Sequence, residues 1–317
     1  MSSVLSVRNL RVTLAAGPRA VPLVRGVDLD LHPGETLTLI GESGSGKTLT
    51  ALALLRLLPQ GMGQQADLMM LNGRDVSEMN EAAFRNLRGR RIAMIFQDPV
   101  GAFNPAKRID WHLRVVLARA EAEGAWQDRA TEALSEVGIM DPPSVLRRFP
   151  HQLSGGMLQR VLIAMVLALG PEVIIADEPT TNLDNIVERQ ILELFGKLQR
   201  RLSSALLFIT HDMTIAALIS QRLAVMYAGQ VVETGPSEAV MHRPLHPYTQ
   251  GLIETANALE KGAETLTEIP GQPPSIMEQD DGCAFRGRCI RARPGCERPQ
   301  KLRSTNEARL VRCLLYD

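Results

Sequence analysis

Apolar and polar residues alternate along the first forty residues of the chain. The stretches "VLSVRNLRVTL" and "PLVRGVDLDLHPGETLTLI" have this period of two and are separated by turn residues, which predicts strands over 4–40. A helical period follows the glycine-rich stretch and runs over 46–58. Residues 80–170 keep a mainly helical period, which "QDPVGAFNP" and "DPPS" interrupt.

Strands and helices alternate in the later part of the chain. The apolar strand "EVIIAD" (172–177) precedes an amphipathic helix, and "ALLFIT" (205–210) precedes another helix. The stretch "RLAVMYAGQVVETG" predicts a hairpin that turns at Ala228–Gly229. This alternation predicts an α/β fold with a mainly parallel sheet covered on both faces.

Composition and charge narrow the class of protein. The 317 residues include 35 Lys or Arg and 35 Asp or Glu, and this balance argues against a dedicated nucleic-acid binder, which needs a basic field. Apolar runs such as "VLIAMVLALG" (161–170) are shorter than the ~20 residues of a membrane-spanning helix. The stretch "MSSVLSVRNL" lacks the apolar core of a signal peptide. We therefore expect a cytosolic chain with reduced thiols.

The stretch "GESGSGKT" (41–48) fits the phosphate-loop pattern G-x-x-x-x-G-K-[ST] between a predicted strand and a predicted helix. Its glycines allow backbone N–H groups to converge on phosphate oxygens at a helix N-terminus. Lys47 is expected to reach the β- and γ-phosphates, and Thr48 to ligate Mg²⁺. The predicted nucleotide-binding residues here are Gly41, Ser43, Gly44, Ser45, Gly46, Lys47 and Thr48.

A pair of acids ends the predicted strand "VIIADE" (173–178). Strand ends of this kind lie at the carboxyl edge of a sheet, where ligands bind in α/β folds. Asp177 is expected to hold Mg²⁺, directly or through water, and Glu178 to orient and deprotonate an attacking water.

The stretch "LSGGMLQR" (153–160) places a serine and two glycines at the start of a predicted helix. Here the chain resembles the ATP-binding subunits of ABC transporters, in which this signature completes the nucleotide site of the partner subunit. Three further motifs of that family are present: Gln97 in "FQDP", Asn182–Leu183–Asp184, and His211 in "ITHD". Together the six motifs stand in the family's order between residues 41 and 212.

The resemblance implies a role for each of these positions. Ser154, Gly155 and Gly156 would touch the γ-phosphate bound across a dimer, and Asp184 would belong to the same nucleotide site. Gln97 would sense Mg²⁺ and the attacking water, so that Thr48, Gln97 and Asp177 form the magnesium set. His211 would contact the γ-phosphate, which makes Glu178, His211 and Gln97 the catalytic set.

The resemblance also implies the domain organisation. It predicts a P-loop NTPase with a mixed sheet core, an N-terminal antiparallel β subdomain and a helical signature subdomain at about 98–168, all within residues 1–258. A linker over 259–281, containing "EIPGQPPS", would lead to a small Cys-rich C-terminal extension over 282–317.

The stretches "IADEPTTNLD" and "HPYTQGLIE" (246–254) make the chain similar to the dipeptide, oligopeptide and nickel importers. This implies an ATPase on the cytoplasmic face of the membrane that pairs with a second ABC ATPase chain, as a heterodimer of related subunits. Two permease subunits would dock at 97–112, and an extracytoplasmic solute-binding protein would deliver the solute. The sequence leaves open the solute and the choice between a homodimer and a heterodimer.

The alternative is a soluble ABC ATPase that acts on nucleic acid or ribosomes. Such proteins usually carry coiled-coil insertions, two cassettes or basic surfaces, and the sequence shows none of them.

The chain departs from the family pattern at the position expected to contact the adenine base. The stretch "RVTLAAGPRA" (11–20) has Leu14 where an aromatic usually stacks on adenine. Adenine selectivity therefore stays open.

All four cysteines lie within the last 35 residues, with the spacing C-x₅-C-x₆-C-x₁₆-C. This clustering predicts a shared metal site at Cys283, Cys289, Cys296 and Cys313, because disulfides are disfavoured in the cytosol. Four thiols suit Zn²⁺ as well as a [4Fe–4S] cluster, and a basic tail on a membrane surface is a metal-free alternative. The resemblance to dipeptide importer ATPases, some of which carry such a cluster, favours [4Fe–4S] over zinc.

Overall fold

The computed structural model describes residues 2–16, 19–119, 125–181, 183–260, 269–278, 280–305 and 308–317. The chain divides into two compact units. The first unit consists of Met1–Ser77 and Phe208–Asp317, and the second of Glu78–Leu207.

The strands are, in chain order, β1 Leu5–Ala16, β2 Arg19–Leu31, β3 Thr36–Ile40, β4 Met62–Gln65, β5 Leu68–Leu71, β6 Arg74–Asp75, β7 Ile92–Ile95, β8 Val173–Asp177, β9 Ala205–Thr210, β10 Arg222–Tyr227, β11 Gln230–Pro236, β12 Arg303–Ser304 and β13 Leu310–Val311. The helices are α1 Lys47–Leu54, α2 Glu81–Arg85, α3 Ile109–Leu117, α4 Trp126–Glu136, α5 Pro142–Arg147, α6 Gly155–Leu169, α7 Asn185–Leu202, α8 Met213–Ile219, α9 Ser237–His242 and α10 Pro247–Glu260.

An antiparallel sheet in the first unit is built on β1, which pairs with β2, β4 and β5. The alternation seen in the sequence has its cause here, because the inward side chains Leu5, Val7 and Val12 are buried. Leu14 lies opposite Val21 on β2 and Met62 on β4. The strands predicted over 4–40 are thus present as β1, β2 and β3, and the predicted antiparallel β subdomain is built on β1.

A mixed arrangement of strands forms the other sheet region of the first unit. Strand β3 is parallel to β10, which is antiparallel to β11, and β11 pairs in turn with β13. The β10–β11 hairpin turns at Ala228 (φ 44°) and Gly229 (φ 81°), as predicted from the sequence. All five residues of β3 are buried, so this strand is covered on both faces.

Two parallel strands, β7 and β8, lie in the second unit together with the helices α2 to α7. The helical period predicted over 80–170 is wrong at β7, where "IAMI" is a fully buried strand. A short apolar run does not distinguish a buried strand from a buried helix. The predicted interruption at "DPPS" is present, since α4 ends at Glu136 and α5 begins at Pro142. Asp141 caps α5 by accepting from the backbone N–H of Ser144 (3.1 Å), and Pro142 stands at the first position of the helix.

The C-terminal extension belongs to the first unit, where a buried ion pair attaches it. The guanidinium of Arg309 donates to the Glu233 carboxylate (2.7 Å), and both side chains are at most 2% exposed. Glu233 also accepts from the backbone N–H groups of Leu245 and His246. A buried carboxylate is retained when it is paired and hydrogen-bonded in this way.

Candidate active site

The predicted phosphate loop lies between β3 and α1 in the first unit. A Cβ atom at Gly41 would stand 2.1 Å from the carbonyl oxygen of Met226, so only glycine fits there. Gly46 precedes α1 with φ 102°, in the left-handed region that favours glycine. These two glycines explain locally why the chain turns from the strand directly into a helix N-terminus.

The Lys47 side chain folds back over this loop. Its ammonium donates to the carbonyl oxygens of Gly41 (2.7 Å) and Glu42 (2.9 Å), and the side chain is buried. Ser45 is also buried, whereas Ser43, Gly44 and Thr48 are exposed. The loop therefore combines a buried cation with an exposed backbone turn and the hydroxyl of Thr48, which suits the binding of a phosphate group and its metal ion.

The acidic pair follows β8 in the second unit. Asp177 ends the strand and is 2% exposed, and Glu178 adopts a left-handed backbone conformation (φ 43°). The Glu178 carboxylate accepts from the amide Nε2 of Gln97 (3.1 Å) and from the hydroxyl of Thr181 (3.0 Å). The structure thus brings together Gln97 and Glu178, which are 81 residues apart.

Thr181 is a site residue that the sequence reasoning missed. Its hydroxyl proton is directed to the oxygen of Glu178 that also accepts from Gln97, so it orients the predicted general base. A local sequence pattern could have predicted this contact, because a hydroxyl residue three positions after an acid in a turn can reach back to that acid.

The signature residues stand at the exposed N-terminus of α6. Ser154 caps this helix by accepting from the backbone N–H of Met157 (3.3 Å). A Cβ atom at Gly155 would meet open space, whereas one at Gly156 would stand 2.9 Å from Cγ1 of Val187 on α7. A side chain at Gly156 would therefore crowd α7 within the second unit, in addition to any effect on contact with a nucleotide.

The other residues predicted for the site are Asp184 and His211, which lie in different units. Asp184 caps α7 by accepting from the backbone N–H groups of Ile186 (3.1 Å) and Val187 (3.0 Å), and Asn182 lies outside the described residues. His211 follows β9 and is exposed. It belongs to the first unit, which also contains the phosphate loop. The acidic pair, Gln97 and the signature belong to the second unit.

The four cysteines are partly buried and form no disulfide. Burial raises the pKa of Cys283 to about 11, with smaller contributions from the other three thiols. Burial also raises the pKa of Cys289 and of Cys313, and the charge of Cys296 acts in the same direction on both. Among the described residues, however, no three His, Cys, Asp or Glu side chains are arranged to hold a metal ion. The predicted cluster site is therefore not supported as a preformed set of ligands.

Two family models match the chain. The ABC transporter model covers residues 24–181, and the model of the oligopeptide/dipeptide transporter C-terminal region covers residues 232–296. The dipeptide transport ATP-binding protein DppD of Bacillus subtilis is 40% identical over 100% of this chain and 96% of its own length. The chain belongs to the ABC transporter family. The oligopeptide transport ATP-binding protein OppD of the same organism is 42% identical over 90% of this ABC chain and 81% of its own length.

A solved structure confirms the fold class of this ABC chain. The ATP-binding cassette MJ0796, determined as a dimer in a post-hydrolysis state with ADP and phosphate, matches with a TM-score of 0.65 and 23% identity. The match covers 74% of this chain and 98% of that cassette. The predicted α/β cassette with an antiparallel β subdomain and a mixed core sheet is confirmed.

Proposed function

We propose that this ABC ATPase energises the import of peptides. The observation that carries the ATPase part of the proposal is the Glu178 carboxylate, which Gln97 and Thr181 hold at the end of β8 beside the buried Asp177. Relatives that share 40–42% of their residues with the chain are described as dipeptide and oligopeptide transport ATP-binding proteins. The match over 232–296 also supports peptides, because the matching model is described as the C-terminal region of oligopeptide/dipeptide transporters.

Nucleotide binding is assigned to the phosphate loop. Backbone N–H groups of residues 41–48 cradle the phosphates, and the Lys47 ammonium neutralises them. Thr48 and Asp177 would supply oxygen ligands of the kind that Mg²⁺ prefers, with Gln97 as the third member of the set. A bound Mg²⁺ would neutralise charge on the β- and γ-phosphates.

Hydrolysis is assigned to Glu178 as general base, with Gln97 and His211 as the other members of the proposed catalytic set. Glu178 accepts a proton from the attacking water, and the hydrogen bonds from Gln97 and Thr181 fix the orientation of its carboxylate. His211 donates to the γ-phosphate. The signature residues Ser154, Gly155 and Gly156, with Asp184, face a nucleotide held by the second ATPase chain, which we propose is a related subunit.

Membrane attachment is assigned to two permease subunits that dock at 97–112 on the cytoplasmic face. No helix in the described part of the chain is long and apolar enough to cross a membrane. Large apolar side chains are exposed in or beside the predicted docking segment, at Phe96, Val100, Trp111 and Val115. Exposed apolar side chains mark a protein–protein contact where they form a contiguous patch, and we propose such a patch here. A solute-binding protein outside the membrane would complete the importer.

Coexpression with a peptide permease tests this function. We expect the chain to sediment with membranes only when the permease is present, and peptide with its binding protein to stimulate ATP turnover. Trp111→Ala should lower the affinity of the chain for permease-containing membranes by about tenfold, as expected for an interface aromatic. The control is Met140→Ala, which removes a side chain that is 97% exposed in the same unit and should leave this affinity unchanged. Sedimentation with ribosomes or nucleic acid instead would support the alternative function.

We further propose that the C-terminal extension takes a [4Fe–4S] cluster on Cys283, Cys289, Cys296 and Cys313, with Zn²⁺ as the alternative. In support, none of the four thiols is in a disulfide. Burial raises the pKa of Cys283, Cys289 and Cys313, and the charge of Cys296 acts in the same direction on all three. The thiols would have to turn toward a common centre and lose their protons, so metal affinity should increase with pH. Such a group would stabilise the extension and has no assigned step in hydrolysis.

Anaerobic purification tests the cluster proposal. The protein should be brown, absorb near ~400 nm and contain iron and sulfide, as expected of a thiolate-bound cluster. Cys296→Ser should remove the colour while ATP binding persists. Colourless protein with stoichiometric zinc would support the alternative, and folded protein without either metal would contradict a metal site.

A further inference from the structure

An arginine of the C-terminal extension reaches the phosphate loop inside the first unit. Arg288, next to Cys289, lies 246 residues from Glu42, the second residue of the loop. Its Nη1 donates to Oε2 of Glu42 (2.8 Å) and its Nη2 donates to Oε1 (3.2 Å), which is a bidentate pair. The Arg288 side chain is 7% exposed and that of Glu42 is 26% exposed, so the pair is largely shielded from water.

The remaining donors of Arg288 are also used. Its Nε donates to the carbonyl oxygen of Pro270 (2.9 Å), Nη2 to that of Ile269 (3.2 Å) and Nη1 to the hydroxyl of Tyr227 (3.3 Å). A guanidinium has five N–H groups in a rigid fork, and five hydrogen bonds engage it here. These five hydrogen bonds fix the position of the Arg288 guanidinium.

Glu42 connects this arginine to the loop lysine. The backbone N–H of Glu42 donates to the hydroxyl of Tyr248 (2.8 Å), and its carbonyl oxygen accepts from the ammonium of Lys47 (2.9 Å) and from the N–H of Ser45 (3.2 Å). Every polar group of Glu42 therefore has a partner, and one of those partners is the residue assigned to the phosphates.

We propose that Arg288 is a positioning residue for nucleotide binding: it neutralises the Glu42 carboxylate and holds the phosphate loop in its binding conformation. Without Arg288, an unpaired carboxylate on the loop would repel the polyanionic phosphates and would no longer fix the backbone that orients Lys47. The C-terminal extension then contributes to nucleotide affinity without touching the nucleotide. This inference rests on the proposed role of the phosphate loop.

The test is ATP affinity in the presence of Mg²⁺, measured on the full-length chain by calorimetry, with KM and kcat measured in the assembled transporter. Arg288→Met should weaken ATP binding and raise KM about tenfold, as removal of a shielded charge pair typically does, with kcat within about twofold of wild type. The matched control is Arg286→Met, two residues away, because Arg286 pairs with Asp280 (2.6 Å) inside the same segment. This control should leave ATP affinity unchanged.

A second substitution tests whether Arg288 acts by neutralising the Glu42 carboxylate or only by attaching the C-terminal extension to the first unit. Glu42→Gln combined with Arg288→Met removes the unpaired carboxylate, so ATP affinity should recover to within about threefold of wild type. If Arg288→Met does not fold, Arg288→Gln has the same expected effects and keeps a polar head in that space. Wild-type affinity in the single variant, or no recovery in the double variant, would overturn the proposal.

Lys47→Ala distinguishes the failure of this inference from that of the proposed function. If Lys47→Ala abolishes ATP binding while Arg288→Met leaves it intact, only the role of Arg288 is wrong. If Lys47→Ala binds ATP as wild type does, the assignment of the phosphate loop itself is wrong.

Discussion

Glu178→Gln is expected to retain ATP binding and to lower ATP turnover by about 10²–10⁴-fold, the usual cost of losing a general base. The physical reason is the position of the carboxylate directly after the buried Asp177, where Gln97 and Thr181 both donate to it. A glutamine has almost the same shape but cannot take a proton from water. The measurement is ATP turnover in the assembled transporter together with ATP affinity of the purified chain.

The matched control is Glu172→Gln, at the opposite end of the same strand. Glu172 immediately precedes β8 and pairs with Arg91, so this variant removes an equivalent negative charge outside the site. We expect Glu172→Gln to keep turnover within about threefold of wild type, because it keeps the shape of the side chain and removes a charge at the end of β8 that is remote from the site. Wild-type turnover in Glu178→Gln would show that another group activates the water.

Gly155→Asp is expected to abolish hydrolysis at the site whose phosphate loop belongs to the other ATPase chain. A side chain at Gly155 meets open space within its own chain, so the variant should fold normally while placing bulk and negative charge where a γ-phosphate must approach. Gly156→Asp would not be equally informative, because it also disturbs the contact between α6 and Val187. Gly155→Ala serves as the control for size without charge.

Mixed dimers make the geometry of this signature measurable. When Gly155→Asp and Lys47→Ala are in opposite chains, both changes affect one site across the interface, and the other site should keep up to about half of the turnover. When both changes are in the same chain, each site loses one component, and turnover should be lost. In a heterodimer, the lysine at the equivalent position of the partner is the one to change. The reverse pattern would mean that each signature serves its own phosphate loop.

The motifs of this protein could be found in the sequence because each is a short, continuous stretch whose chemistry demands certain residues. Gly41 has no space for a side chain, Lys47 must be a cation, and the acids 177 and 178 must follow an apolar strand. Long strands such as β1 were predictable for a similar reason, since one face is buried and the other is not. The strand β7 was not, because four consecutive buried residues carry no period.

Only the tertiary structure could decide which distant residues act together. The contact between Gln97 and Glu178 bridges 81 residues, and that between Arg288 and Glu42 bridges 246. No local pattern encodes such pairs, because an arginine in a basic tail looks the same in the sequence whether it faces solvent or another side chain. The same reason separates Gly155 from Gly156: they are adjacent and identical in the sequence, but only Gly156 stands against Val187 of another helix. Packing between elements, which depends on the whole fold, determines which of these residues are free to meet a ligand.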